Sequence, residues 1–382
     1  MKEGWEKKKL REVCEVINGL WKGKKEPFMN VGVIRNANFT KDCKLNKTNI
    51  EFIDVEVSKF LKGRKLKYGD IIIERSGGGP KQPVGRPILF DIKEGDFSFS
   101  NFTSVLRIKD NNKLNSKYLQ LYLFFLYKCG KTEQIQSNTI GLRNLDFNAY
   151  KEFEIPIPTL AIQQKMATYL DTTFAKLDSI KAKAQQELED AKELFQSELK
   201  QCFNNDSWEK KKLKDICDKG SSNISQKQLK EIEGEYPIYG ASGFIKKIDF
   251  YHQKSKYIAV IKDGSGVGRT MLLPEKSSVI GTLQYIIPKE NIDIKFLYYL
   301  LQSLELAKYT QGAAIPHIYF RDYGEANIYV PNLQVQHSIA EKIETKYFNL
   351  QALETNYRRT ISDCDELKQS ILRKAFEGEL TL

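Results

Sequence analysis

Ile157-Pro158-Thr159-Leu160-Ala161-Ile162-Gln163 returns 173 positions later as Val330-Pro331-Asn332-Leu333-Gln334-Val335-Gln336, and a long periodic stretch follows each copy. No Gly or Pro occurs from Thr159 to Lys219. Met166, Leu170, Thr173, Leu177, Ile180, Ala184, Leu188, Ala191, Phe195 and Cys202 recur there at spacings near three and four, an amphipathic helical seam. The second copy offers Ile339, Ile343, Tyr347, Leu350, Leu353, Tyr357, Ile361, Cys364, Leu367, Ile371 and Ala375. The two segments align without a gap from Leu160/Leu333 to Phe203/Phe376. Each would run roughly 65 Å if helical throughout. A single apolar stripe on so long a helix must be covered, and the matching cover is the other copy. A chain that leaves one globular unit on the first helix must return on the second, so the pair is expected to be antiparallel, with Phe376 near Trp5; pairing between two molecules is the alternative.

A second repeat confirms the duplication. Trp5-Glu6-Lys7-Lys8-Lys9-Leu10-Arg11-Glu12-Val13-Cys14 returns, displaced by 203 positions, as Trp208-Glu209-Lys210-Lys211-Lys212-Leu213-Lys214-Asp215-Ile216-Cys217. Between the Trp and Pro elements both units read as mixed α and β. Ile71–Ile73, Ser104–Ile108, Tyr257–Ile261 and Leu283–Ile287 have the composition of strands, and Lys117–Leu123 and Lys295–Leu301 that of short helices. The Trp-to-Pro interval is 153 residues in the first unit and 123 in the second, so alike ends enclose unlike interiors. Duplicated scaffold with diverged contents suits two modules that read different targets.

Composition bounds the function. The 382 residues suffice for two medium domains, each with its own core. No apolar run reaches membrane-spanning length and the start does not read as a signal peptide, which points to a cytoplasmic chain. The six Cys, at 14, 43, 129, 202, 217 and 364, have neither zinc nor disulfide spacing. A net charge of +11 favours a polyanionic partner, although Lys-rich composition alone gives the same balance. There is no Asn/Asp-Pro-Pro-aromatic motif for holding a flipped base and no nucleotide-binding Gly-x-x-x-x-Gly-Lys-Ser/Thr loop. The three His, at 252, 317 and 337, are too isolated to suggest a metal site. No catalytic centre is expected.

The order globular unit, long helix, globular unit, long helix resembles the specificity subunit of type I restriction–modification systems. The residues that carry the resemblance are the paired Trp5–Leu10 and Trp208–Leu213, the run Leu66–Ile73, the turn Tyr236–Gly243, and the Pro-x-Leu-x-x-Gln elements at 158–163 and 331–336. The resemblance implies an α+β protein with target-recognition domains at 1–157 and 206–330 and spacer helices at 158–205 and 331–382. It implies that each domain reads one half of an asymmetric, interrupted double-stranded DNA site while the paired helices fix the gap. It also implies two docked methyltransferase subunits and further restriction (motor) subunits. S-adenosylmethionine, ATP and Mg would then belong to those partners, with no cofactor in this chain. Two other readings stay open here: an enzyme with unfamiliar motifs, and a non-catalytic coiled-coil adaptor for protein or RNA.

Arg is scarce, so its placement is informative. Arg35 with Asn36, Arg75, Arg86, and Arg143 with Asn144 sit among small or polar residues in the first unit, and Arg269 and Arg321 do so in the second. Arg reads guanine and Asn or Gln reads adenine in the major groove; a solvated ion pair or phosphate contact is the commoner role. The Gly-rich loop Glu74–Lys81, with Ser76, Gly77 and Lys81, has a counterpart in Lys262–Arg269, with Ser265. Strand composition follows each, which fits a hairpin approaching DNA better than a dinucleotide fingerprint. Two more loops precede the Pro elements: Gln134–Arg143, with Asn138, and Gln311–Arg321, with His317. Lys81, Lys227 and Lys262 are candidates for phosphate contact, and Tyr239 and Ser242 for presentation by their turn. On the helices, Gln163, Gln164 and Gln336 are candidates for subunit docking.

Overall fold

The computed structural model of the chain describes residues 5–19, 22–79, 82–139, 141–312 and 315–380. They divide into two units, Met1–Ala182 with Thr360–Leu382, and Lys183–Arg359.

In the first unit, strand Glu6–Lys9 pairs antiparallel with Glu154–Ile157, Glu6 facing Ile157. The main sheet is antiparallel, in the order Cys14–Asn18, Thr103–Ile108, Ile71–Glu74, Pro87–Leu89. Ile71, Ile72 and Ile73 are wholly buried, which is why this strand reads as an unbroken apolar run rather than an alternation. Helix Ser116–Lys128 covers the sheet; the side-chain oxygen of Asn115 caps it by accepting the Tyr118 N–H at 2.9 Å. A second sheet joins Glu51–Glu56, Phe28–Ile34 and Phe97–Phe99. A third joins Gln136–Thr139, Leu142–Leu145 and Ser76–Gly78.

The second unit repeats this plan. Glu209–Lys212 pairs with Asn327–Val330 in the equivalent register, Glu209 facing Val330. Its main sheet runs Cys217–Ser221, Leu283–Pro288, Tyr257–Ile261, Thr270–Leu273, and its second Gly243–Ile248, Tyr236–Gly240, Ser278–Val279. Helix Ile294–Ser303 starts at Asp293, whose carboxylate accepts the Phe296 N–H at 2.8 Å. Among the described residues, single bridges join Asp263 and Gln311 to His317 where the first unit has its third sheet.

The long helices are continuous over Leu160–Cys202 and Leu333–Glu377. Within the first unit their parts run antiparallel, since Asp178 pairs with Lys368 and Lys181 with Asp365 at 2.6 Å. Met166, Leu170, Phe174, Leu177, Leu372 and Phe376 are buried there. Within the second unit Glu198 meets Lys346 at 2.7 Å, and the Phe195 and Tyr347 rings lie 5.8 Å apart, again antiparallel. Phe376 packs edge-on against Tyr118 and Tyr122 at 5.6 and 5.2 Å, in the core cluster that also holds Trp5. Its counterpart Phe203 packs edge-on against Phe296 at 5.2 Å. The seam is narrower than its periodicity predicts. Ile180, Leu353 and Leu367 are more than 40% exposed, because a pair of helices covers only part of a broad apolar stripe.

Candidate nucleic-acid interface

In the first unit, strand Ile71–Glu74 leaves the main sheet at Arg75 and runs into Ser76–Gly78. Gly77 turns the chain at φ +105°, and a Cβ there would meet the Asn36 amide nitrogen at 2.8 Å. The loop after the short helix folds as a hairpin, with Asn138 facing Arg143 and Ser137 facing Asn144. Its second strand then pairs with the Gly-rich strand, Arg143 facing Gly78 and Asn144 facing Ser76. Asn36 Nδ2 donates to the Ser76 carbonyl, which brings in the Arg35 turn. Three stretches far apart in sequence thus meet, carrying Arg35, Asn36, Arg75, Ser76, Gly77, Asn138, Arg143 and Asn144.

These arginines differ in freedom. Arg35 is paired with Glu51, and Arg143 Nη1 donates to Glu133 at 2.7 Å. Among the described residues Arg75 has only neutral side-chain partners: Asn18 Oδ1 at 3.0 Å, the Ser104 hydroxyl at 3.4 Å and the face of Phe147 at 5.1 Å. Arg86 is a correction to the sequence reading. It is 5% exposed, donates to both Glu74 oxygens at 2.7 and 2.8 Å and to the Phe39 carbonyl at 2.9 Å, and so belongs to the core. Lys81 lies outside the described residues.

The second unit brings its two loops together by a different set of bonds. Gly264 N–H donates to the Pro316 carbonyl and Ile318 N–H to the Lys262 carbonyl, each at 2.9 Å. Arg269 reaches the carbonyls of Gly266 and Ala241, both at 3.3 Å, and so ties the Gly-rich loop to the turn carrying Tyr239 and Ser242. Gln311 Nε2 donates to Asp322 Oδ2 at 3.0 Å. Arg321 lies over the Tyr319 ring at 4.6 Å, and His317 meets the same ring edge-on at 5.0 Å. Ser242, Ser265, Arg269, Gln311 and Arg321 are exposed. Lys227 stands elsewhere, on a groove lined by Gln226, Leu229, Lys230, Ile245 and Lys246.

Sequence reasoning passed over the large apolar side chains at these loops. Phe102 is 51% exposed and its carbonyl accepts the Arg75 N–H; Leu142 is 54% exposed; Phe244, Ile315 and Tyr319 are their like in the second unit. The available signal was a bulky apolar residue inside a polar, Gly-rich loop, where no core periodicity accounts for it.

Gln163 and Gln336 also need correction, as they are buried and hold their own units together. Gln163 accepts the Asn115 N–H and donates to the carbonyls of Lys113 and Pro158, all at 2.8 Å. Gln336 does the same with the Asp293 N–H at 2.9 Å and the carbonyls of Asn291 and Pro331 at 3.2 and 2.9 Å. Every polar atom of each amide is satisfied within the fold, leaving nothing for a partner. Gln164 is exposed.

Nucleophilic chemistry is not prepared at Cys14 or Cys217: burial pushes both up to about 12, far from the thiolate form at neutral pH. Among the described residues no group of three or more His, Cys, Asp or Glu is placed to hold a metal ion, and no helix is long and apolar enough to cross a membrane.

Residues 2–190 and 205–361 match the family model described as the type I restriction modification DNA specificity domain. Over 99% of its length the chain is 23% identical to the StySPI specificity subunit of the type I restriction enzyme of Salmonella potsdam, covering 90% of that protein. By structure it is similar, with TM-score 0.80, 17% identity and 100% and 99% coverage, to a chain solved in work on complex assembly and conformational transition of the type I R-M system. The HsdS subunit from Thermoanaerobacter tengcongensis gives TM-score 0.62 and 17% identity over 100% and 98% of the two chains. The fold and the paired loops thus define a protein of two tandem DNA specificity domains. The chain belongs to the type I restriction–modification specificity family; it is a DNA-recognition subunit and not the catalytic component.

Proposed function

We propose that the two units read the two halves of an asymmetric, interrupted duplex sequence, each through the surface where its Gly-rich loop meets the segment after its short helix. One observation carries this reading. Two duplicated units make the same junction with different side chains: Arg75, Asn138, Arg143 and Asn144 in one, Lys262, Ser265, Arg269, Gln311, His317 and Arg321 in the other. A shared scaffold with unlike donors and acceptors at one place is what reading unlike sequences requires. Arg75, without an acidic partner among the described residues, is the leading base reader of the first unit, while Lys262 and Lys227 suit phosphate contact.

The continuous helices set the gap between half-sites and dock two methyltransferase subunits, with the exposed Gln164 at one such contact. Restriction subunits complete the assembly. S-adenosylmethionine, ATP and Mg serve those partners, and the complex works in the cytoplasm. Mapping methylated adenines across the host genome tests the reading. The expected result is one asymmetric motif with two defined halves around a fixed undefined gap. A single uninterrupted motif, or failure of the chain to retain the neighbouring methyltransferase in a pull-down, overturns it.

A further inference from the structure

The first unit carries a basic patch outside the residues selected above. Beyond strand Cys14–Asn18, the segment Lys22-Gly23-Lys24-Lys25-Glu26-Pro27 is folded onto the end of strand Glu51–Glu56. Glu56 N–H donates to the Lys22 carbonyl at 2.8 Å, and Glu56 Oε2 accepts the N–H groups of Lys24 and Lys25 at 3.2 and 3.4 Å. Gly23 has φ +88°, and a Cβ there would come within 2.5 Å of the Glu56 side chain, so only Gly fits. Val57 N–H closes the segment on the Pro27 carbonyl at 3.0 Å. The backbone is pinned, while the side chains of Lys22, Lys24 and Lys25 are exposed and make no ion pair among the described residues. The carboxylate beneath them, Glu56, is 5% exposed and engaged by Ser58 and Lys59, and the segment's own acid, Glu26, is exposed, so its three Lys outnumber its one exposed acid.

A neighbouring turn extends the charge. Phe60–Arg64 presents Lys62 to solvent, and Arg64 Nε donates to the Asn18 carbonyl at 3.2 Å. The side chain of that same Asn18 accepts from Arg75, so the patch is continuous with the candidate reading surface. The equivalent connection of the second unit, 222–235, has Lys227 and Lys230 but also Glu231, Glu233 and Glu235. The local charge changes sign between copies, so the patch is neither a property of the scaffold nor a uniform effect of Lys-rich composition.

We infer that Lys22, Lys24, Lys25, Lys62 and Arg64 form a phosphate-binding patch that grips the duplex backbone beside the bases read by the first unit. The inference rests on the DNA reading above and adds a site to it. Lys is a point charge suited to phosphate and carries no base information, so the patch supplies affinity and register without sequence preference. A pinned loop pays little ordering entropy on binding, which favours this segment over lysines on mobile chain.

The test is the salt dependence of binding by the full chain to a labelled duplex of arbitrary sequence, followed by fluorescence anisotropy between about 50 and 200 mM salt. The variant K22A/K24A/K25A should lower the slope of log K against log salt by about 2.7, about 0.9 for each phosphate no longer neutralised. K165A/K176A/K183A, which removes equal charge from exposed helix positions, should leave the slope unchanged. Equal slopes for the first variant and the parent, or equal drops in both variants, overturn the patch while the DNA reading stands. Absence of salt-dependent binding by the parent overturns the DNA reading and the patch together. The substituted side chains are exposed, so unchanged melting of both variants is expected alongside.

Discussion

Arg75 and Arg86, eleven positions apart in similar Gly-rich surroundings, have opposite fates, and the difference is one carboxylate. Glu74 closes on Arg86 inside the core and leaves Arg75 with neutral partners at the loop junction. Arg75→Ala should therefore relax recognition at one base pair of one half-site, by about 1–3 kcal/mol of discrimination, with little loss of stability. Arg86→Ala should destabilise the first unit by about 3–5 kcal/mol, since it strands a buried Glu74, and should leave the motif intact wherever the protein still folds. Methylation mapping and urea unfolding separate the two outcomes. Sequence alone could not distinguish these arginines, because the partner that decides between them is fixed by strand pairing. Glu56 allows a pH test at the same scale. Above all the Ser58 hydroxyl at 2.6 Å, and then the Lys24 and Lys25 N–H groups, hold its carboxyl down to about 2, from an ordinary value of 4.5. A depressed carboxyl stabilises the fold above its unfolded pKa and loses that contribution as pH falls from about 4.5 through about 2. Protection of the Lys24 and Lys25 amides from hydrogen exchange, taken against the intrinsic rate at each pH, should fall as pH drops across that window, and Glu56→Gln should remove the step.

The elements legible in the sequence were those whose pattern is set by burial. Ile71–Ile73 and Tyr257–Ile261 announce themselves because both faces are covered, and the long helices because a stripe repeats over more than forty residues. The third sheet of the first unit was not legible as strand: Gln136-Ser137-Asn138-Thr139 and Ser76-Gly77-Gly78 carry no apolar alternation, and only mutual backbone pairing makes them strands. The glutamines at the helix starts stand out in the sequence but their role does not, since their partners lie on a turn some fifty residues earlier. That role is measurable. Gln163→Ala leaves the Asn115 N–H and two carbonyls short of a partner and should cost about 1–3 kcal/mol. Gln336→Ala breaks the same set of bonds in the second unit and should cost a similar amount. Unfolding curves of the two variants should shift alike, and a large difference would mean the latch is not equivalent in the two copies.

For the molecule as a whole, the duplication seen as offsets of 203 and 173 residues carries through to strand register, helix caps and the aromatic seat at each helix end. This predicts where the chain can be exchanged. Replacing residues 15–155 with the corresponding segment of a relative keeps the Glu6–Lys9 strand, both Pro elements and both long helices, and changes everything between. One half of the methylated motif should change, while the other half and the gap are retained. The exchange carries a condition that the repeat pattern alone does not reveal. Phe376 is seated against Tyr118, Tyr122 and Phe125, all within the exchanged segment. A donor with aromatic side chains at those positions should give a hybrid that melts with the parent. A donor with small or polar ones empties the seat of Phe376, at a cost on the scale of a core Phe→Ala, about 3–5 kcal/mol. Reading the methylated motif and the melting temperature on the same set of hybrids separates the two effects. A new half-site in every hybrid that folds, with stability following the aromatic seat, is the expected outcome. A hybrid that keeps the seat and folds but alters both half-sites would show that the units do not read independently.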